Sequence, residues 1–272
     1  MPLNIYVADM ELQGVLLFSS EQRPALASPG GAVITTSPFI HNYPLIYGFY
    51  NKPVEAYTVI PSLHFLSYKS LKESRFVPKK LAKMPLKYMF VEQKIKRFLE
   101  GGRALYVFPA YPLKITRKKF FMAAKGYGYV EFRGRLKTVY PRLEQYVAII
   151  PPSRFRTVVL SNFELPSTIY IRIGMKRMGL FKVQLKKANI LRRVEEYAWT
   201  SVPVNLHDVG LFGYTVFNVL KLLEKYSKPQ DKPLSAVIGY IRARNLFEVS
   251  VHHSTVLRIP LPLKLIDRKG AY

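Results

Sequence analysis

Three runs between Arg154 and Lys186 alternate apolar and polar side chains with a period of two, and that period constrains the fold more than any other feature of the chain. Phe155, Thr157 and Val159 alternate with Arg154, Arg156 and Val158; Ile169, Ile171 and Ile173 alternate with Thr168, Tyr170 and Arg172; Phe181, Val183 and Leu185 alternate with Lys182, Gln184 and Lys186. Successive residues of a strand point to opposite faces, so each run predicts a strand with one apolar and one polar or basic face. Strands of this kind predict an antiparallel sheet that packs its apolar side on helices and leaves Arg and Lys projecting from the other. Leu3, Ile5 and Val7 alternate with Asn4, Tyr6 and Ala8, which predicts a half-buried opening strand, and "SAVIGYI", "LFEVSVH" and "TVLRIPL" predict a final set.

Two segments carry helical periodicity. Tyr88, Val91, Ile95, Phe98 and Leu99 share one face of a helix that Gly101 and Gly102 end, with Lys87, Lys94, Lys96 and Arg97 on the other face. Thr215 to Tyr226 reads as a second helix, stopped before Pro229. Pro44 argues against a helix through the whole of "SPFIHNYPLIYGFY", but a proline in the first turn suits a helix starting near Asn42. Ser19 to Gly31 has the most loop-like composition, and Pro61, Pro78 and Pro85 mark an insertion tethered to the main domain. The expected organisation is a single domain over 1–272 with an inserted basic arm at 57–146.

The formal net charge is +25, from 42 Lys and Arg against 17 Asp and Glu, in a chain that is 49% hydrophobic. From Tyr111 to Arg193 there are 19 basic and 3 acidic side chains, interleaved with aromatic and β-branched residues, as in "RKKFFMAAKGYGYVEFRGRLK". Charges set in such sequence decorate strands and ordered loops rather than a tail, and a phosphate polyanion is the partner they imply. The 19 Tyr and 17 Phe supply stacking surface as well as core. The competing explanation is a basic surface common to the proteins of one organism. No Lys-rich amphipathic helix dominates, no apolar stretch reaches the ~18 to 20 residues that span a bilayer, and the first residues lack a signal-peptide pattern, so the expectation is a cytoplasmic protein with no membrane partner. Absence of cysteine excludes disulfides and thiolate metal sites.

Catalytic signals are thin. His41, His64, His207, His252 and His253 form no zinc spacing, and Asp9 with Glu11 reads as a solvated strand end rather than a magnesium site, so neither metal nor cofactor is expected. Gly126, Gly128 and Gly134 lack the Lys-Ser/Thr ending of a phosphate loop and read as a basic, aromatic loop or a turn between strands. A metal-independent endoribonuclease remains open: His41 with Tyr43 or Tyr47, plus Lys118 or Lys119, would suffice for attack by a 2′-hydroxyl. A hydrogen-bonded structural His41 accounts for the same residues, and a general nucleic-acid-coating protein is a third reading.

The opening strand with "ELQG", then "SPFIHNYPLIYGFY", "PSRFRTVVLSN", "YIRIGMKRMG" and "PVNLHDV", with "PFIHNYPLIYG" the most specific, together resemble the small Cascade subunit family Csc-one of type I-D CRISPR systems, counterpart of the Cas-five family. The resemblance implies an α+β, ferredoxin-like or RNA-recognition-like antiparallel sheet packed on helices with a long basic insertion. It implies a noncatalytic subunit that binds the 5′ handle of the CRISPR guide RNA and caps a filament of Cascade backbone subunits. It also implies a place beside the Cascade large subunit, with target double-stranded DNA met through the complex. On this resemblance His41, Asn42 and Tyr43 position the handle-binding region or hold the first helix against the sheet. Lys118, Lys119, Arg133, Arg135, Arg154, Arg156, Lys176 and Arg177 are the candidate phosphate contacts, with Tyr127 and Tyr129 for bases or ribose. Gly174 and Gly179 flank "MKRM" without forming a recognisable glycine-rich loop, and Phe120 and Phe121 either dock on neighbouring subunits or nucleic acid or pack locally.

Overall fold

β1 (Asn4–Leu12) is the strand on which the sheet is built in the computed structural model, which describes residues 3–17, 27–28, 31–36, 38–51, 97–98, 100–123, 129–132, 135–138, 143–174, 177–205, 208, 238–251 and 255–260. Next come β2 (Ala27–Ser28), β3 (Gly31–Thr35), α1 (Asn42–Phe49), β4 (Leu105–Val107), β5 (Tyr111–Ala123), β6 (Tyr129–Phe132), β7 (Arg135–Thr138) and β8 (Leu143–Ser161). The chain continues through β9 (Thr168–Ile173), β10 (Gly179–Val194), β11 (Ala198–Trp199), β12 (Val204–Asn205), β13 (Ile238–Gly239), β14 (Arg242–Ala243), β15 (Leu246–Val251) and β16 (Thr255–Ile259).

β1 lies antiparallel between β8 and β10, and β4 pairs antiparallel with the far side of β8. The order β4–β8–β1–β10 follows, with β1 and β4 parallel to one another and joined through α1. That is the strand order and sense of a ferredoxin-like βαββαβ unit. Its second crossover differs: the described residues between β8 and β10 contain no α-helix, and β9 instead pairs with the outer edge of β10. The expected second helix at 215–226 lies outside the described residues.

The apolar face is the one the alternation predicts. Phe155, Phe181, Val183 and Ile171 are buried on it, and the Phe155 and Phe181 rings meet edge to face at 5.8 Å between centroids. Burying each ring is worth about 1.5–3 kcal/mol. α1 packs directly on β9: a Cβ added at Gly48 would stand 3.0 Å from Ile173 Cγ2. Its N-cap is His41, whose Nδ1 accepts a hydrogen bond from the Tyr43 backbone N–H, and Pro44 sits in the first turn, where a missing N–H costs nothing. The helix ending at Gly101 and Gly102 closes as expected, although of its body only Arg97 and Phe98 are described. Gly101 at φ +80° donates to the Phe98 carbonyl and Gly102 to the Arg97 carbonyl, a Schellman cap.

The structure departs from the sequence reading, or extends it, at several points. β1 is not half-buried at its start: Ile5, Tyr6, Val7 and Ala8 are all buried, because a central strand of a sheet covered on both sides there has no solvent face. β10 runs well beyond Leu185, to Val194, because β15 continues the pairing where β1 ends. Tyr129–Phe132, within the segment read as a basic, aromatic loop or a turn between strands, is a strand that pairs with β7, which accords with the second of those readings. Ala27–Ser28, inside the loop-like stretch, pairs with β3. Within the segment assigned to the arm, Ala104 to Ala110 belong to the main core, where the Asn162 side chain clamps the start of β4 by accepting from Ala104 N and donating to the Gly102 carbonyl. From Thr116 onward β5 and the first half of β8 form a two-stranded ribbon that also takes β3 in parallel.

Candidate nucleic-acid interface

Cross-strand register assembles the polar face of the sheet. One row crosses five strands as Tyr170, Lys182, Glu11, Arg154 and Lys114, and the next as Thr168, Gln184, Asp9, Arg156 and Tyr111. Arg172 lies two residues beyond Tyr170 on the same face of β9. Tyr170 is 61% exposed, with its ring standing off the sheet. The face is open only around these rows, since Val7, Val158 and Leu160 further along are buried.

The two rows differ electrostatically. Asp9 accepts from Arg156 Nε at 2.7 Å and lies 3.7 Å from Lys186 Nζ, so that row is internally compensated. The hydrogen bond to Asp9 holds the Arg156 guanidinium still more firmly protonated, and burial raises the neighbouring Tyr111 phenol. Lys114, Arg154, Arg172 and Lys182 make no ion pair among the described residues, and Glu11 is the acid between them. This is an excess of positive charge around an exposed aromatic ring on a rigid sheet, a combination suited to phosphate with a stacked base or ribose.

Of the candidate contacts, Arg154 and Arg156 are brought together here. Lys118 and Lys119 stand exposed on β5 opposite Ala148 and Val147, with Lys118 Nζ 5.7 Å from the Phe120 ring centre. Phe120 packs against the buried Leu17, Tyr146 and Ala148, which is the local-packing alternative. Arg177, at φ +56°, donates to Asn51 Oδ1 at 2.7 Å and ties the turn after β9 to the end of α1. Tyr129 and Arg135 belong to the β6–β7 hairpin, opposite Thr138 and Phe132, but their side chains lie outside the described residues, as does that of Phe121. Tyr127, Arg133 and Lys176 lie outside them altogether, as do His64, His207, His252 and His253.

His41, Asn42 and Tyr43 are buried, and two of them meet the second distinctive segment, "PVNLHDV". Asn42 Nδ2 donates to Asp208 Oδ2 at 2.7 Å, the Tyr43 hydroxyl to Asp208 Oδ1 at 2.8 Å and the Tyr106 hydroxyl to Asp208 Oδ2 at 2.5 Å. Asn205 Nδ2 donates to Asn42 Oδ1 at 2.9 Å. Burial first, then the Asp208 charge, holds the Tyr106 phenol well above its ordinary pKa, fixing it as a donor. Sequence distance hid this cluster: Asn42 and Asp208 are 166 residues apart, and only the fold brings them into contact. Tyr170, Arg172 and Lys182 did carry a signal, since each falls on the polar side of an alternating run.

Among the described residues no group of three or more His, Cys, Asp or Glu is placed to hold a metal ion, and no helix is long and apolar enough to cross a membrane. His41 is committed to the helix cap. A mixed α+β protein with a dominant antiparallel sheet, a ferredoxin-like strand order and an open basic face is of the RNA-binding class. Residues 3–226 match the family described as type I-D CRISPR-associated protein Cas5/Csc1, and the chain belongs to that family. Its general role is that of a noncatalytic subunit of the Cascade complex. No individual curated protein matches the chain.

Proposed function

We propose that this subunit binds the 5′ handle of the CRISPR guide RNA and caps one end of the backbone filament. In this reading it sits beside the large subunit in the cytoplasm and meets target double-stranded DNA only through the assembled complex. Residues 1–272 act as one RNA-binding domain, and within the 57–146 insertion the basic segments on either side of the core strand β4 reach along the neighbouring subunit or the guide. The observation that carries the reading is the row Lys114–Arg154–Glu11–Lys182–Tyr170. Phosphates of a hooked RNA take the unpaired cations, Tyr170 takes a base or ribose, and Lys118 and Lys119 extend the track along β5. Asn42, Tyr43 and His41 hold the scaffold from inside.

The test is handle-RNA binding across a salt series, with co-purification of the complex from its native host as the companion measurement. Each phosphate contact on a single strand contributes about 0.7 to the slope of log K against log salt. Arg154→Ala and Lys182→Ala should each weaken binding and flatten the slope by about that amount. Arg156→Ala, whose charge is already taken by Asp9, should flatten it less. Equal slopes for all three variants would refute the assignment, as would recovery of mixed RNA without other Cascade subunits.

A further inference from the structure

The chain's only tryptophan lies outside the sheet face described above. Trp199 is 61% exposed and stands opposite Arg242 in the short β11–β14 ribbon, where Ala198 stands opposite Ala243. Continuing that antiparallel register puts Tyr197 opposite Arg244, and Arg244 Cζ lies 4.3 Å from the Tyr197 ring centre. Residues two apart along a strand share a face, so Tyr197 and Trp199 on one strand and Tyr240, Arg242 and Arg244 on the other project together. The ribbon's opposite face turns inward: Thr200 is buried, its N–H donates to the Ile241 carbonyl at 2.9 Å, and its Oγ1 accepts from Ile241 N at 3.2 Å. Two exposed rings about 6.8 Å apart along a strand are separated by twice the ~3.4 Å step between stacked bases, the distance across a ring–base–ring sandwich.

We infer that the Tyr197–Trp199–Arg242–Arg244 face of the β11–β14 ribbon is a second nucleic-acid site, which stacks the bases of an unpaired strand and clamps its phosphates. The chemistry favours a nucleic acid over a protein partner. Each ring has a guanidinium as its cross-strand neighbour, which suits alternating base and phosphate, and the chain as a whole is strongly basic. The nearest acids in sequence, Glu195 and Glu196, precede the ribbon, and the charge of Glu196 acts on Arg192. Tyr240 lies within electrostatic reach of Tyr111, whose phenol is raised by burial first and by Tyr240 to a lesser extent, so the ribbon face and the sheet face are neighbours. The inference does not depend on the handle assignment.

Trp199 is its own probe. The full-length chain, excited selectively at its single indole, is titrated with short unstructured RNA and DNA oligonucleotides, and with a blunt duplex as control. Stacking predicts quenching by the single strands and little by the duplex. Trp199→Ala and Tyr197→Ala, followed by anisotropy of a labelled oligonucleotide, should weaken binding about 5- to 150-fold, whereas Trp199→Phe should retain most of it. RNA and DNA arms separate a guide segment from an unpaired DNA strand as the natural ligand. Arg154→Ala should leave the quenching intact, so failure of the handle assignment and failure of this one are distinguishable. Unchanged fluorescence with every oligonucleotide would overturn the inference, and so would quenching produced only by other Cascade subunits, which would mark a protein contact.

Discussion

Replacing Asp208 with alanine should be among the most damaging single changes in this protein, because three buried donors converge on that carboxylate. Asn42 Nδ2 and the hydroxyls of Tyr43 and Tyr106 donate to it at 2.5–2.8 Å. A buried donor deprived of its acceptor costs about 1–3 kcal/mol. Three such losses in one network do not add, because the survivors rearrange, so the expected total is about 3–5 kcal/mol, typical of breaking a buried charged network. Against the ~5–15 kcal/mol that holds a domain together, this is a large share. Tyr106→Phe, removing one donor to a charged acceptor, should cost about 1.5–3 kcal/mol. The assay is urea unfolding followed by circular dichroism, with the variants compared at constant m. In a double-mutant cycle, Tyr106→Phe and Asp208→Ala should couple by at least about 1 kcal/mol. A loss below about 1 kcal/mol for Asp208→Ala, or strict additivity, would refute the reasoning. A second readout separates scaffold from contact: under conditions where Asn42→Ala remains folded, its RNA-binding salt slope should match the wild type. A slope flattened by about 0.7 would place Asn42 on a phosphate.

Glu248 accepts from Arg192 and from Arg258, and these bonds pull its pKa from 4.5 down to about 2. A carboxylate depressed in the folded state stabilises fully above its unfolded pKa and loses that contribution as pH falls from about 4.5 through about 2. The melting-temperature gap between wild type and Glu248→Gln should therefore be present at neutral pH and close across that window; a gap independent of pH would exclude the triad as its source. At Gly174, φ is +83° and an added Cβ would meet the Leu17 carbonyl oxygen at 2.8 Å, so Gly174→Ala should destabilise by roughly 1–3 kcal/mol on chemical denaturation. An unchanged midpoint would show that the turn after β9 relaxes freely. Phe120→Ala, which empties a site against Tyr146 and Ala148, should lower thermal stability while leaving the RNA salt slope at its wild-type value.

The strands β1, β8, β9 and β10, and for the last three the side on which each carries its apolar residues, were legible in the sequence, whereas β2 to β7 were not. A period of two is a local property, and Phe155, Ile171, Phe181 and Val183 needed no partner to declare their face. The cap at Gly101 and Gly102, the proline-tolerant start of α1 and the basic character of the polar face were legible for the same reason. The function of "PFIHNYPLIYG" was not. Its residues suit a binding loop or an anchor equally well, and the choice depends on Asp208 and Tyr106, which lie far away in sequence. Nor could the sequence distinguish Arg154 from Arg156, two residues of the same type on the same face of one strand. Register decides between them, since pairing β1 with β8 sets Asp9 opposite Arg156 and Glu11 opposite Arg154. Only the first pair closes into a salt bridge, at 2.7 Å. Local sequence thus determined the strands of the alternating runs and which of their sides faces the core, because those follow from backbone geometry and hydration. Tertiary structure decided which charges neutralise one another and which remain to meet a ligand, because an ion pair depends on distances set by strand register rather than by position along the chain.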